Sequence, residues 1–487
     1  MRSVAEARSR VESEYRAVVE WVESNECGTA AAFEGDLWRR VLALGAALFG
    51  LFLCCRASRC LPARYEHEGR AFVVTKGGKA ATIGTLFGKV SFWQPMAEQV
   101  GKNRPDFPLE RELGIGAAFT LGVMSSLAEL CARMPFSHAR TVFDRFCGWV
   151  PSPKVVLRIV DALGDLARPF IDQSPAPAGD GEVLVLEVDG RGAPMISPTE
   201  YSRRTGPRTR RRGTDRDVAR AKRRERPRIR RAKGKKSKNA KVAVVGVLYT
   251  LKRTSKGVEG PINKRTIGTF DSHEALFRWL LPEARKRGYG RKLTVFVADG
   301  SDHIWRLQQR YFPNAIPCID FWHIAEKLWE AGTLLLKEGT PGLRGWYDAQ
   351  KTLLRNGKIQ SIIDHLGEQI AAIPRSGPRN KWRRRRLLEI QKHLAEHSGR
   401  MRYNRLRRDG LVIGSGAVEG AVRNIVGMRL DGPGMRWGRE RSERVLHLRC
   451  ILVNGQWNSF HAYLDSSAVR LRAQPMPTVP HEAKAAA

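Results

Sequence analysis

Three acidic residues stand where a chain could use them for chemistry. Asp189 ends the run VLVLEVDG, Asp299 ends TVFVADG, and Glu419 lies in the Gly-rich helix entry GSGAVEG. Val183 to Val188 and Thr294 to Ala298 are short, mostly β-branched runs, each expected to be a buried strand that stops at Asp-Gly and turns out at the sheet edge. Acids at neighbouring strand ends face one crevice, and Glu419 would join them from a helix alongside. Mg²⁺ takes oxygen ligands and keeps several waters. Such a set therefore suits two Mg²⁺ ions about 3.5–4 Å apart, with Mn²⁺ able to substitute, an arrangement for in-line phosphoryl displacement. A single Asp-Gly after a strand is more often just a turn, so the reading rests on the three together.

Composition names the partner class. Lys and Arg number 85 against 49 Asp and Glu, a net charge of +36 with a pI near 10.6, which points to a polyanion, nucleic acid first. With 487 residues, 42% of them hydrophobic, the chain can build real cores in about two to four domains, which excludes a disordered basic tail. The eight cysteines form no CxxC pair and no CxxC…HxxxH spacing, and read as reduced thiols of a cytoplasmic protein. The apolar run Val41 to Cys55, with Arg39 and Arg40 before it and Arg56 after, is short for a bilayer and begins too far in for a signal peptide. It reads as a buried helix, with no membrane partner.

The elements that must position the acids follow from patterning. Residues 1–60 read as a helical region, a scaffold or self-association element. Residues 61–173 read as β-hairpins, with Lys76-Gly77-Gly78-Lys79 as a tight turn, followed by helical runs over Glu110 to Met134, Ser137 to Gly148 and Ser152 to Ala167. That trio resembles a helix-turn-helix DNA-binding unit with Lys154 and Arg158 exposed, although plain bundles share the pattern. SPAPAGDG (174–181) reads as a linker, and a new domain begins at Glu182. Between Arg203 and Lys241 there are 20 Lys/Arg and 3 acids, +17 of the total +36. This basic arm, with Arg210, Arg211, Arg212, Arg223 and Arg224, is expected to track phosphates without sequence preference and with steep salt dependence. Strands over Lys241 to Leu251 and Lys264 to Phe270, a helix after Ser272, the strand ending at Asp299, a helix and the strand AIPCID then give the element order of a ribonuclease H-like sheet. The expected fold class is α/β: a ribonuclease H-like catalytic domain behind a mainly helical N-terminal DNA-binding region.

The run ADGSDHIWRLQQRYFPNAIPCIDFWHIAEKLW and the later MRYNRLRRDGLVIGSGAVEGAVRNIVGMRLDGPGMRWGRERSERVLHLRC resemble DDE transposases of bacterial insertion sequences, in the group related to mutator-type elements. The likeness covers about residues 180 to 460. It implies that Asp189, Asp299 and Glu419 are the catalytic, metal-binding triad. It also implies a catalytic domain in two parts, 182–327 and 410–465, split by a helical insertion over 328–409. The tail from 466 to 487, rich in Ala and Pro, is expected to be disordered. Asp320-Phe-Trp-His323 matches the DxxH signature, so His323 would orient the scissile phosphate or the attacking oxygen, with Asp320 as outer ligand or orienter. Asp302 lies nearby, with a helix-start acid as the plainer alternative. Arg383 and Arg384 in KWRRRR and Arg436 are candidate DNA contacts, and Arg423, four residues after Glu419 on one helix face, could pair with it or contact DNA phosphate. Trp382 and Tyr403 are interleaved aromatics that could stack on a base or anchor a helical core. The cysteine pair common in similar proteins before the DNA-binding helices is missing, so no structural zinc is expected. The resemblance implies a DNA transposase that cuts element ends and joins the 3′-hydroxyl to target DNA. Double-stranded DNA would be its partner, on which it forms a homo-oligomer, and its place the bacterial cytoplasm, at the nucleoid when bound. A ribonuclease H-like nuclease without strand transfer and a non-catalytic DNA-binding regulator remain as alternatives.

Overall fold

Ser3 and Thr29 each accept a backbone N–H from the residue three further on, and each opens a long helix, α1 (Val4–Ser24) and α2 (Ala30–Ala57). These come from a computed structural model that describes the chain apart from residues 27, 60, 61, 68, 103, 104, 116, 117, 198, 201, 203–239, 256 and 467–487. The chain divides into two compact units, Met1–Phe170 with Gly455–Ala487, and Ile171–Asn454. The fold is mixed α/β, with a sheet in each unit.

In the first unit, α1 and α2 pack with an antiparallel sheet of β1 (Arg64–His67), β2 (Arg70–Thr85), β3 (Gly88–Gln99) and β4 (Pro105–Asp106), in that order. Ala7, Leu53, Cys54, Ile83, Val90, Phe92 and Leu109 form their shared core. Two expectations fail here. Lys76 to Lys79 is not a turn: β2 runs through it with a bulge between Val74 and Gly78, because Gly78 lets Trp93 and Gln94 of β3 press against its backbone, where a Cβ would meet Gln94 O at 2.4 Å. The hairpin turn lies instead at Leu86-Phe87, held by the Thr85 hydroxyl, which donates to Gly88 O (2.9 Å) and accepts from Phe87 N (3.1 Å). Nor is α2 a buried helix confined to Val41 to Cys55. It is 28 residues long, apolar enough by length and composition to cross a membrane, and only 22% of its apolar window is buried.

The run expected over Glu110 to Met134 breaks at Gly114, whose φ is +63°. It gives α3 (Pro108–Glu112) and α4 (Leu121–Arg133), followed by α5 (Phe136–Cys147) and α6 (Pro153–Gln173). Lys154 is exposed and Arg158 half-buried. The C-terminal helix Trp457–Asp465 packs in this unit, with Trp457 Nε1 donating to Ser125 Oγ at 3.2 Å and the Phe460 ring 5.2 Å from Phe170. The part expected over 410–465 as catalytic therefore divides, with Gly455 onward in the first unit.

The second unit is built on a five-stranded sheet of β5 (Val183–Pro194), β6 (Ala240–Thr254), β7 (Gly257–Thr269), β8 (Leu293–Ala298) and β9 (Ile316–Ile319), ordered β7-β6-β5-β8-β9. β7, β6 and β5 are antiparallel neighbours, whereas β8 and β9 run parallel to β5. Because β5 is central, its Val183 to Val188 are buried on both faces. One face carries α7 (His273–Lys286) and α8 (Asp302–Tyr311), packing Phe277, Trp305 and Phe312 around Phe296. Gly246 makes room there for Leu280, which an added Cβ would meet at 2.8 Å.

After β9 come five helices, α9 (Phe321–Leu335), α10 (Pro341–Arg355), α11 (Ile359–Ala372), α12 (Pro378–His397) and α13 (Tyr403–Arg408). Tyr403 is fully buried, its Oη donating to Ile319 O at 3.0 Å, so of the two roles weighed for it the core anchor is the one observed. The chain then covers the other sheet face with α14 (Gly416–Val422), a π-helical turn (Arg423–Gly427), α15 (Met428–Leu430) and α16 (Arg439–Val453). The stretch 174–181 is not a free linker. Asp180 pairs with the buried Arg287 at 2.7 Å, and Gly181 N donates to Thr250 Oγ1 at 2.9 Å.

Candidate active site

Strand register brings the first two acids together. Parallel pairing sets Glu187 beside Val297 and Val188 beside Ala298, so Asp189 and Asp299 each directly follow the last parallel pair, near enough for the Asp299 charge to act on Asp189. β5 does not stop at Asp189 as expected. It continues to Pro194 against β6, with Asp189 opposite Val245, and this ladder keeps its backbone satisfied. Asp189 therefore marks the end of parallel pairing, not the end of the strand. Its Oδ1 accepts from Gly190 N at 2.6 Å, and Asp299 Oδ1 accepts from Ser301 N at 3.3 Å. Burial raises the Asp189 pKa; the negative charges of Asp299, Glu419 and Asp320 push it the same way, against the Gly190 N–H.

Glu419 arrives on α14, and the site holds that helix by its first turn. Asp320, buried at the end of β9, accepts from His323 N (2.7 Å) through Oδ2 and from Ser415 N (3.0 Å) through Oδ1. It is thus the N-cap of α9 and a clamp on the segment leading to Glu419. Ser415 Oγ in turn donates to Glu419 Oε1 at 2.7 Å. A second clamp escaped the sequence reading. Glu187, 1% exposed, accepts from Tyr249 Oη at 2.6 Å and from Val418 N at 2.7 Å. Burial raises its pKa to about 7, against the pull of those two donors. The signal was present, since Glu187 is the one charged residue among the apolar residues of Val183 to Val188.

His323 stands half-buried in the first turn of α9, its ring 6.2 Å from that of His393 on α12. His393 in turn lies against Gly300, the residue after Asp299, where an added Cβ would meet its Cε1 at 2.2 Å, and its Nε2 is buried without a hydrogen-bond partner among the described residues. Its pKa falls to about 4 through burial and the nearby Lys327, His397 and His323, which leaves a neutral imidazole at physiological pH. His397 is 4.6 Å further on and 3.7 Å from Asp302 Oδ1. Spacing in α12 would have placed His393 and His397 on one helix face, but only the fold shows that this face meets the Asp299 loop.

Among the described residues, no group of three or more His, Cys, Asp or Glu side chains is gathered tightly enough to hold a metal ion as it stands. The donor chemistry still fits a divalent cation that retains waters: Asp189 and Asp299 are half-buried, Glu419 is exposed, and the mutual repulsion felt by Asp189 is what a cation relieves.

The candidate DNA contacts divide. The Arg423 side chain is exposed and makes no ion pair or hydrogen bond among the described residues, so it does not pair with the Glu419 carboxylate, although its backbone N–H donates to Glu419 O and Gly420 O. Arg436 is paired with Glu200 at 2.9 Å. Arg383 and Arg384 turn inward, Arg383 Nε donating to Leu334 O at 2.7 Å and Arg384 Nη1 to Ile373 O at 2.8 Å and to Ile370 O. They hold helix C-termini instead of facing solvent. Trp382 beside them is 52% exposed. Arg210, Arg211, Arg212, Arg223 and Arg224 lie outside the described residues.

No family model matches the sequence, and no curated protein matches it. Among solved structures, the Drosophila P element transposase strand transfer complex aligns with 72% of this chain and 82% of that chain at 12% identity. Its TM-score of 0.25 is too low for the likeness to bear on fold or function.

Proposed function

We propose that Ile171–Asn454 is a ribonuclease H-like phosphoryl-transfer domain and that the chain is a DDE-type DNA transposase. The sheet order, three antiparallel strands followed outward from the first by two parallel ones, supports the fold reading. The observation that carries the function is that Asp189 and Asp299 directly follow the last parallel pair of two neighbouring strands, with Asp299 and Glu419 near enough for their charges to raise Asp189. The charge of +36 and the sequence resemblance to DDE transposases agree with it.

In this reading Asp189, Asp299 and Glu419 hold the catalytic Mg²⁺, which when bound supplies positive charge at the scissile phosphate. His323 orients the attacking oxygen. Water attacks a phosphorus at the element end and the 3′-oxygen leaves as a 3′-hydroxyl. That hydroxyl then attacks a target phosphodiester, forming one P–O bond and expelling the target's 3′-oxygen, with no covalent protein–DNA species. Arg423 and the basic arm over 203–241 neutralise backbone phosphates, and copies of the chain assemble on DNA. A strand-transfer assay with a 3′-labelled element end tests this: label joined to target DNA is expected. Cutting without joining would leave a nuclease, and site-specific binding that stays inert in Mg²⁺ and Mn²⁺ would leave a regulator.

A further inference from the structure

We infer that Glu187 is the positioning residue that fixes Glu419 relative to Asp189, an inference that rests on the phosphoryl-transfer reading above. A carboxylate inside a central strand is costly to bury, and an apolar residue would serve the sheet better. Glu187 sits on the face that carries Asp189, two residues before it on the same strand, and both its oxygens are committed. Oε1 accepts from Tyr249 Oη, which aims the side chain from β6, and Oε2 accepts from Val418 N, one residue before Glu419.

The helix so gripped needs such help. α14 runs on through the π-helical turn into α15 as far as Leu430, but at its entry the first-turn N–H groups have no partners within the helix. Asp320 takes Ser415 N from the β9 side, and Glu187 takes Val418 N from the sheet beneath. Two acids of the site are thereby referred to one rigid strand: Asp189 by the backbone, Glu419 through Glu187 and the helix it docks. This explains why a charged residue interrupts VLVLEVDG, and why the third acid can lie far downstream, beyond a helical insertion, and still be placed.

The test uses full-length chain carrying Glu187→Met, which keeps the volume and removes the acceptors, and Glu187→Gln, whose amide oxygen can accept from Val418 N while its NH₂ donates to Tyr249 Oη. Amide hydrogen exchange over 415–419 without metal reads docking, and Mn²⁺ titration followed by electron paramagnetic resonance reads the assembled acids. Glu187→Met is expected to speed exchange there about tenfold or more and to weaken Mn²⁺ binding by about 10–100-fold. It should raise the KM for Mn²⁺ more than it lowers kcat, and Glu187→Gln should recover most of each loss. Unchanged exchange over 415–419 in Glu187→Met, or a Gln variant as impaired as the Met one, would overturn the inference. If wild type binds no Mn²⁺ but Glu187→Met still loses protection, the docking stands and the phosphoryl-transfer reading falls. Should Glu187→Met not fold, Tyr249→Phe, which keeps the carboxylate but not its aim, must show the same faster exchange.

Discussion

Replacing Asp320 with Ala should cost the second unit about 3 kcal/mol. The carboxylate is 4% exposed and accepts two backbone N–H groups, from His323 at 2.7 Å and Ser415 at 3.0 Å. Without it both donors are left buried, at about 1–3 kcal/mol each, and α9 loses an N-cap usually worth about 1 kcal/mol, which overlaps with the first of them. Release of a buried carboxylate from its own desolvation returns part of this, which brings the total to about 3 kcal/mol. Asp320→Asn, with one acceptor oxygen, should fall between wild type and Ala. The assay is urea unfolding followed by tryptophan fluorescence, since Trp279, Trp305 and Trp437 are buried in this unit. The two units are fitted as separate transitions, and the midpoint should drop with the slope unchanged. An Asp320→Ala protein within about 0.5 kcal/mol of wild type would refute the clamp, because that is the range of an uninvolved surface substitution.

Other outcomes follow from the same geometry. Burial raises Glu443, but His447 at 3.2 Å, with Thr269 and Arg439, outweighs it and holds the carboxyl near 2, below its ordinary 4.5. Its contribution, on the order of 3 kcal/mol, is complete above about pH 4.5 and is lost as pH falls toward 2, so Glu443→Gln should flatten the acid limb of a stability–pH curve; an unchanged limb would contradict this. Gly300→Ala should destabilise by about 1–3 kcal/mol by overpacking His393, and His393→Ala in the same chain should relieve it, both read by thermal unfolding. Arg384→Ala should destabilise the helical block by about 1–3 kcal/mol with little effect on DNA affinity. Arg423→Ala should do the reverse, in paired denaturation and fluorescence-anisotropy measurements.

The sequence was informative wherever local pattern decides structure. The continuous β-branched apolar runs of β5 and β8 mark strands buried on both faces, with Asp189 and Asp299 directly after them. It was less informative where a distant partner decides. Nothing local says that β5 continues past Asp189, since that depends on pairing with β6 across 45 intervening residues. Lys76 to Lys79 has turn composition, yet Gly78 serves a close approach by Trp93, and Gly88 supplies the positive φ at the real turn. The arginines of KWRRRR look alike in sequence; what separates Arg383 and Arg384 from the exposed Arg385 is which side of α12 meets the ends of α9 and α11. Glu187 was visible as an anomaly, but its purpose needed the fold, because its partners lie 62 and 231 residues away.

The central claim is that Asp189, Asp299 and Glu419 form one phosphoryl-transfer site, and cleavage of an element-end duplex in Mg²⁺ by Asp189→Asn and Glu419→Gln tests it most directly. Each variant should lose about 10³-fold or more in cleavage rate, about 4 kcal/mol of barrier, while binding the duplex as tightly as wild type at the same salt. Near wild-type cleavage by either variant would contradict it.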